Sequence, residues 1–253
     1  MPNFGMESLP GICRVAARTL RVGMVAAALT LSSGCVSMVN KGAEFPGIYE
    51  QRPVSILVLP PINKTTAADA KEYYSTTILE PLALQGYYVM PIGIINDIMK
   101  QEGLYDSDDV YDVAPQTFKK YFDADAVMTI RINQWESVYF VLGGYVAVGV
   151  DATLKSTTNG AQLWHYAGVI QVDTSGGNVS GAGLAGLLAK AIIAAAQTAM
   201  TDYVPIARVA NFQMLSSMPF GKYHPQFGTD KDMEIVQKPQ AHETQDDTSA
   251  PAP

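Results

Sequence analysis

The strongest constraint on the fold is a short apolar run that two consecutive prolines close. Residues 54–59 read Val-Ser-Ile-Leu-Val-Leu, and Pro60 and Pro61 follow them. A nearly continuous run of apolar and β-branched residues of this length is typical of a strand buried on both faces. Proline has no amide hydrogen with which to continue a strand ladder. The sequence therefore predicts a central strand that ends at Pro60.

Helices and strands alternate after this first strand. Helical spacing, terminal glycines and proline breaks mark the predicted elements. They are a helix over 67–84 ended by Gly86, a strand over 87–90, a helix over 94–103, an acidic loop at 106–109, a short helix over 115–122 and a strand over 126–132. This order is typical of parallel strands joined by right-handed crossovers.

The second half of the chain has a different pattern. Two β-rich runs, 145–154 and 162–172, flank the dipeptide Asn159-Gly160, which is a strong hairpin signal. A third strand joins this extension if the strand at 126–132 continues to Tyr139. An alanine-rich helix over 184–203, broken by Pro205, would cover the sheet. We therefore expect an α/β fold: a mixed sheet with a parallel strand–helix–strand start and an antiparallel hairpin extension, covered by helices.

The N-terminus resembles a bacterial lipoprotein signal. Three arginines precede a short apolar run, and the small residues Ser33 and Gly34 precede Cys35. This pattern predicts cleavage before Cys35 and attachment of acyl chains, such as palmitate, to that residue. An ordinary secretory signal cleaved elsewhere and an N-terminal membrane anchor remain alternatives. The residue after the cysteine is Val36 rather than aspartate, which favours the outer membrane, with the domain facing the periplasm.

Composition divides the chain into four predicted parts. They are a signal peptide at 1–34, a lipid-anchored tether at 35–52, a periplasmic α/β domain at 53–215, and a polar, largely disordered tail at 216–253. The chain has two cysteines, so cleavage before Cys35 leaves no thiol for a disulfide, a zinc site or a nucleophile. The net charge of −7, without a basic patch, argues against nucleic acid as a partner.

The sequence shows no catalytic constellation, and we predict no catalytic residue, no cofactor and no metal. His165 stands alone in a strand pattern, where a packed or surface role is the commoner one. Asp106, Asp108 and Asp109 resemble a fragment of a calcium loop but lack the glycine and the glutamate that such a loop needs. A solvated loop is the simpler interpretation.

Small residues recur at a spacing of four in the glycine-rich segment before residue 187. Gly181 with Ala185, and Ala182 with Gly186, would let another helix or sheet approach closely. We interpret them as a possible subunit contact. Packing against the chain's own sheet, a membrane span and a phosphate-binding loop are alternatives.

Tyrosines are frequent between residues 73 and 121. They favour either an interface or core packing with the hydroxyl at the rim. The residues concerned are Tyr73, Tyr74, Tyr87, Tyr88, Tyr105, Tyr111 and Tyr121.

Two motifs resemble a known family. Residues 56–65 contain Leu-Pro-Pro-Ile-Asn, and residues 81–91 contain Gly-Tyr-Tyr-Val. With the lipoprotein signal, they are similar to Gram-negative lipoproteins of unknown function typified by a genome-derived neisserial antigen. The resemblance implies a periplasmic α/β domain similar to the N-terminal domain of TolB. It implies a more distant likeness to curli-secretion and penicillin-binding-protein-activator lipoproteins. Family members are often encoded beside a curli-secretion-like lipoprotein, which is therefore a possible partner.

Two functions fit these features. The first is a non-enzymatic, membrane-anchored lipoprotein that acts as a homo-oligomeric assembly or scaffolding component of an envelope secretion or transport complex. The alternative is a lipoprotein that captures a small periplasmic solute or a cell-wall fragment at the carboxyl ends of its parallel strands. Pro60, Pro61, Asn63 and Pro91 lie there in sequence. An envelope hydrolase would require a serine, an aspartate and His165 to converge.

Overall fold

The computed structural model describes residues 38–140, 143–174 and 203–236. Cys35, the Gly181–Gly186 segment and nearly all of the predicted helix at 184–203 lie outside the described residues. The described strands are β1 (Met38–Asn40), β2 (Ser55–Val58), β3 (Ile62–Asn63), β4 (Tyr88–Val89), β5 (Ala126–Phe140), β6 (Gly143–Ser156), β7 (Gln162–Asp173) and β8 (Glu234–Val236). The described helices are α1 (Lys41–Glu44), α2 (Pro46–Gln51), α3 (Ala70–Thr77), α4 (Leu79–Leu84), α5 (Ile92–Gln101), α6 (Ser107–Tyr111), α7 (Pro115–Phe122) and α8 (Val204–Leu215).

The main sheet is mixed, as the sequence predicts. Its order is β4-β2-β5-β6-β7, and the short β3 also pairs with β5. β2 is parallel to β4 and β5, whereas β5, β6 and β7 are antiparallel. The strand at 126–132 does continue past Tyr139, so the antiparallel extension has three strands. The turn between β6 and β7 contains Gly160 at φ +73°, the left-handed conformation that glycine adopts without strain.

The two faces of the first strand pack into two separate cores. Ile56 and Val58 pack with α3, α4 and α8, while Leu57 and Leu59 pack with α5 and α7 on the other face. Successive side chains of a strand point to opposite faces. The apolar run at 54–59 is therefore nearly unbroken because helices cover this part of the sheet on both sides.

The prolines after β2 leave a gap in the ladder of β5, and a tyrosine fills it. Leu59 N donates to Met128 O at 2.9 Å, and pairing with β5 resumes only at Ile62, opposite Arg131. Between these points, the hydroxyl of Tyr111 lies 2.7 Å from both the amide nitrogen and the carbonyl oxygen of Ile130. Burial raises the pKa of Tyr111 well above its ordinary value. Its neutral hydroxyl thus satisfies backbone groups that Pro60 and Pro61 leave unpaired.

Asn63 fixes the loop that follows. Its Oδ1 accepts hydrogen bonds from the amide and the hydroxyl of Thr65 at 3.0 and 2.8 Å, and its Nδ2 donates to Ala67 O at 2.7 Å. This is an Asx turn in which both the oxygen and the nitrogen of the side-chain amide are hydrogen-bonded to the loop. The turn positions the chain between β3 and α3.

The structure differs from the sequence-based expectation at both ends of the domain. Residues 38–52, expected to be a tether, form β1, α1 and α2, and they bury Phe45 and Ile48 in the core. Pro46 occupies the first turn of α2, where a proline is tolerated because no amide hydrogen is needed there. Residues 216–236, expected to belong to a disordered tail, include the fully buried Met218 and strand β8.

Two smaller differences have local causes. The acidic stretch expected to be a loop forms α6, whose N-cap Asp106 accepts a hydrogen bond from Asp108 N at 3.2 Å. Carboxylates are favourable at a helix N-terminus, so the acidic residues stabilise a helix here. The helix expected over 67–84 is divided into α3 and α4, which meet at Ile78.

Substitution of Tyr111 tests the role of its hydroxyl. We expect Tyr111→Phe to lower the free energy of unfolding by about 1–3 kcal/mol, because the amide and carbonyl of Ile130 lose their buried partner. Urea unfolding followed by tryptophan fluorescence measures the change. The matched control is Tyr105→Phe, since Tyr105 is 77% exposed and its hydroxyl should matter little. Equal stability of both variants would contradict this role.

Candidate functional site

The two ends of the domain meet in a small antiparallel ribbon. β1 pairs with β8 in the register Met38–Val236, Val39–Ile235 and Asn40–Glu234. Beyond the ribbon, the amides of Lys41 and Gly42 donate to Met233 O and Lys231 O, both at 2.9 Å. The N-terminal segment is therefore hydrogen-bonded to the C-terminal segment of the domain from Met38, its first described residue.

A buried lysine lies at the base of this ribbon. The side chain of Lys41 is 2% exposed, and its ammonium donates to Met218 O at 3.0 Å. The same ammonium lies 3.6 Å from Oδ2 of the fully buried Asp230 and 4.9 Å from the centre of the Phe220 ring. Burial lowers the pKa of Lys41, and the Asp230 carboxylate opposes that shift because it favours the charged form.

Asp230 connects this lysine to its surroundings. Its Oδ2 also accepts a hydrogen bond from Phe220 N at 2.9 Å. Burial, together with the nearby Asp230 carboxylate, raises the pKa of Tyr49. We refer to Lys41, Tyr49, Met218, Phe220 and Asp230 as the terminal clasp. It joins α1 and α2 to the segment that follows α8.

Close backbone contact fixes that C-terminal segment on the other side. Gly221 N donates to Gln85 O at 2.8 Å, and Tyr223 N donates to Gly86 O at 2.9 Å. Gly86 has φ +89°, and a Cβ there would lie 2.3 Å from His224 N. The sequence analysis expected Gly86 only to end a helix. The close approach of the C-terminal segment also requires a glycine at this position.

A second feature is a cleft at the carboxyl ends of β2 and β4. Its volume is about 700 Å³, and α3, α5 and α6 contribute to its walls. Lys71 donates from Nζ to Ser107 Oγ at 2.7 Å, and Lys100 also lines the cleft. Oδ1 of Asn96 is enclosed and has no hydrogen-bond partner among the described residues. The cleft lies where open parallel sheets bind ligands, and it is polar on part of its wall.

The residues that the sequence analysis weighed for catalysis or metal binding do not come together in one site. His165 Nδ1 lies 3.1 Å from the hydroxyl of Thr153 on the adjacent strand, which is the hydrogen-bond partner that the structure shows for it. Asp106 caps α6, and Asp108 forms an exposed ion pair with Lys64. Within the described ranges, no group of three or more histidine, cysteine, aspartate or glutamate residues could hold a metal ion.

Comparison with known proteins identifies the family. The family described as "Putative lipoprotein GNA1162-like" matches residues 44–222. The chain belongs to this GNA1162-like family. "Putative lipoprotein NMB1124/NMB1162" of Neisseria meningitidis serogroup B is 30% identical over 193 residues, which are 76% of this chain and 88% of the relative. The resemblance inferred from residues 56–65 and 81–91 is thereby confirmed.

Solved structures with similar chains include the lipoprotein GNA1162 from Neisseria meningitidis. It is 29% identical, with a TM-score of 0.46, and the match covers 58% of this chain and all of that chain. The PelC dodecamer from Paraburkholderia phytofirmans is 16% identical, with a TM-score of 0.39, over 66% of this chain and 87% of that chain.

The motifs that point to the GNA1162-like family have structural roles here. Pro60 and Pro61 create the ladder gap that Tyr111 fills, and Asn63 holds the loop after β3. In the second motif, Gly86 admits the C-terminal segment and Tyr87 donates from its hydroxyl to Pro219 O at 2.8 Å. The residues on which the resemblance rests therefore maintain the fold.

Core packing is found for some of the tyrosines, and the interface interpretation of the exposed ones stays a prediction. Tyr74 and Tyr87 are buried, whereas Tyr88, Tyr105 and Tyr121 are 54%, 77% and 66% exposed. The predicted lipidation site Cys35 and the predicted subunit contact at Gly181, Ala182, Ala185 and Gly186 lie outside the described residues and remain predictions. Among the described helices, none is long and apolar enough to cross a membrane.

Sequence reasoning missed the terminal clasp. Lys41 and Asp230 each lie in a polar, glycine- or proline-containing stretch, and Lys41 and Met218 are 177 positions apart in sequence. No local pattern distinguishes these two charged residues from exposed ones. Only the fold that brings the termini together shows that they are buried.

The terminal clasp predicts that removing one of its two buried charges destabilises the domain strongly. We expect Lys41→Met to lower the free energy of unfolding by about 3–5 kcal/mol, because Asp230 is left buried without its cation. Adding Asp230→Asn should restore part of that loss. Urea unfolding of the two single variants and the double variant measures both effects. The control pair is Lys64 and Asp108, which are 54% and 61% exposed and should contribute less than about 1 kcal/mol. A loss no larger than that of Lys64→Met would contradict the assignment.

Proposed function

We propose that this chain is a lipoprotein acylated on Cys35, held on the outer membrane with its domain facing the periplasm. We propose further that it acts there as a non-enzymatic assembly component of an envelope secretion or transport complex. Membership of a lipoprotein family and the signal before Cys35 support the anchor. The finding that its signature residues have structural roles supports a scaffold rather than a catalyst.

The observation that carries this proposal is the position of the first strand. β1 begins at Met38, three residues after Cys35. Three residues of fully extended chain span at most about 11 Å, so the first strand cannot lie further than that from the acylated residue. A domain attached in this way stays within a short distance of the membrane, which suits an assembly component.

Self-association and a lipoprotein partner form the finer part of the proposal. The small residues Gly181, Ala182, Ala185 and Gly186 and the exposed Tyr105 and Tyr121 are the features that support contact with a second copy. The resemblance to the family supports a curli-secretion-like lipoprotein as the partner. Light scattering over a wide concentration range measures self-association. Crosslinking in intact cells tests for the lipoprotein partner.

A spacer insertion tests whether direct attachment matters. We expect a flexible Gly-Ser spacer between Ser37 and Met38 to leave acylation intact but to reduce crosslinking to envelope partners, because the domain loses its fixed distance from the bilayer. Metabolic labelling with an alkyne-bearing palmitate reports acylation, and Cys35→Ala should abolish it. The same spacer placed after Val236 is the matched control. Undiminished crosslinking with the N-terminal spacer would oppose the scaffold function, and labelling of Cys35→Ala would oppose the anchor.

The cleft supports capture of a small polar solute as a second candidate function. Lys71 and Lys100 supply positive charge, Glu72 and Asp106 supply negative charge, and Asn96 Oδ1 offers an unused acceptor. A carboxylate-bearing cell-wall fragment with amide N–H groups would match the positive charge and the unused acceptor. The volume of the cleft, about 700 Å³, is within the usual range for small-molecule sites.

Gly93 provides a way to block the cleft without disturbing the fold. It lines the cleft, and a Cβ there would meet no atom within 4 Å. We expect muramyl dipeptide to raise the thermal midpoint of the wild type and to have no effect on Gly93→Leu. The unliganded variant should be at least as stable as the wild type, since leucine favours helix more than glycine. No shift of the wild type by muramyl dipeptide or by a panel of small carboxylates would eliminate this function.

A further inference from the structure

The end of the β1–β8 ribbon exposes apolar side chains. Met38 and Val236 are directly opposite each other in the register and are 52% and 50% exposed, and Met233 is 49% exposed. On the alternate face of the ribbon, Val39 and Ile235 are partly buried, and Ile235 packs against the core. The ribbon thus turns one face towards the domain, and its other face carries Met38 and Val236 at the end with the exposed Asn40 and Glu234 beside them.

The position of these side chains relative to the lipid anchor is restricted. Met38 is three residues from Cys35, so its Cα lies within about 11 Å of the Cα of the acylated residue. Acyl chains insert into the bilayer from the thiol. Met38 and its cross-strand partner Val236 therefore belong to the part of the domain that is nearest to the lipid headgroups.

The ribbon is firmly attached to the rest of the domain. At its inner end, two backbone hydrogen bonds join Lys41 and Gly42 to Met233 and Lys231. The buried ammonium of Lys41 fixes the next turn to Met218 and Asp230. Swinging the ribbon away would expose this ion pair, so the apolar end keeps one orientation relative to the domain.

Charge also limits which side chains at this end of the ribbon can contact lipid. The protein has a net charge of −7, and bilayers that contain anionic lipids repel acidic surfaces. Methionine and valine side chains carry no charge and lose water readily at an interface. Met38 and Val236 can contact lipid at the end of the ribbon, and the exposed carboxylates of Asp232 and Glu234 flank Met233.

We propose that Met38, Met233 and Val236 form a membrane seat, a surface that rests on the lipid bilayer beside the acyl chains. This inference depends on the proposed acylation of Cys35. The seat sets the orientation of the domain. The core that contains α7 lies on the opposite face of the main sheet from the core that Ile235 contacts, so α7 points away from the bilayer.

Spin labels on single cysteines test the seat in the full-length lipidated protein. Apart from Cys13 in the predicted signal, Cys35 is the chain's one cysteine, so Val236→Cys introduces a single reactive thiol into the acylated protein. Met233→Cys is a second seat position. The control is Tyr121→Cys on α7, where the native side chain is 66% exposed. Each labelled protein is reconstituted into vesicles of phosphatidylethanolamine with a minor share of phosphatidylglycerol, and collision with oxygen and with a water-soluble nickel complex is measured by power saturation.

We expect the labels at residues 233 and 236 to be several-fold less accessible to the nickel complex than the label at residue 121, and more accessible to oxygen. Labels at 233 and 236 that collide with nickel as freely as the label at 121, in protein that floats with the vesicles, would overturn the seat and leave the anchor intact. Protein that does not float with the vesicles, and that takes up no palmitate, would instead overturn the proposed acylation on which the seat depends.

Discussion

The burial of one charged side chain, Lys41, determines how the ends of this domain are arranged. An ammonium group can leave water only if polar groups replace its hydration, and here Met218 O and Asp230 supply the replacement. Those partners follow α8, almost the whole domain away in sequence. The C-terminal segment that carries these partners is itself held against Gln85 and Gly86 by backbone hydrogen bonds. The two termini therefore stabilise each other, and the described structure begins at Met38, three residues after Cys35.

A second constraint arises at the centre of the sheet. Proline at two consecutive positions ends β2 sharply and leaves the backbone of β5 at Ile130 without a strand partner on the β2 edge, although Ile130 is fully buried in the core. Tyr111 resolves the conflict from α6, which the acidic residues at its first turn stabilise. The first motif of the resemblance thus depends on a tyrosine some fifty positions later in the chain. Signature residues of this kind report that a fold is shared, and they do so without indicating a reaction.

The elements that could be predicted from sequence are those whose pattern is local. The run at 54–59, the Asn159-Gly160 turn and the proline-initiated α7 each have a local physical cause, and the mixed sheet follows from their order. The ordered termini could not be predicted, because β1 and β8 are three residues long and each acquires its partner from the other end of the chain. Glycine and proline near Phe45 indicate flexibility in isolation, whereas the core receives Phe45 and Ile48. The sequence predicted the location of a cleft at the carboxyl ends of the parallel strands but not the residues that line it. Lys71, Asn96 and Lys100 come together only through the packing of α3 and α5.

The short attachment also bears on the choice between the two functions. A protein that captures a diffusing solute gains nothing from a fixed orientation, and a long tether would serve it equally well. A component that must meet other subunits at a defined height above the bilayer benefits from a rigid connection, because each residue of flexible linker lowers the effective concentration of its binding surface at the partner. A buried ion pair and a two-stranded ribbon order the chain from Met38 onward, three residues after Cys35. Such an arrangement restricts conformational freedom where a tether would need it, and it supports the proposed assembly function over solute capture.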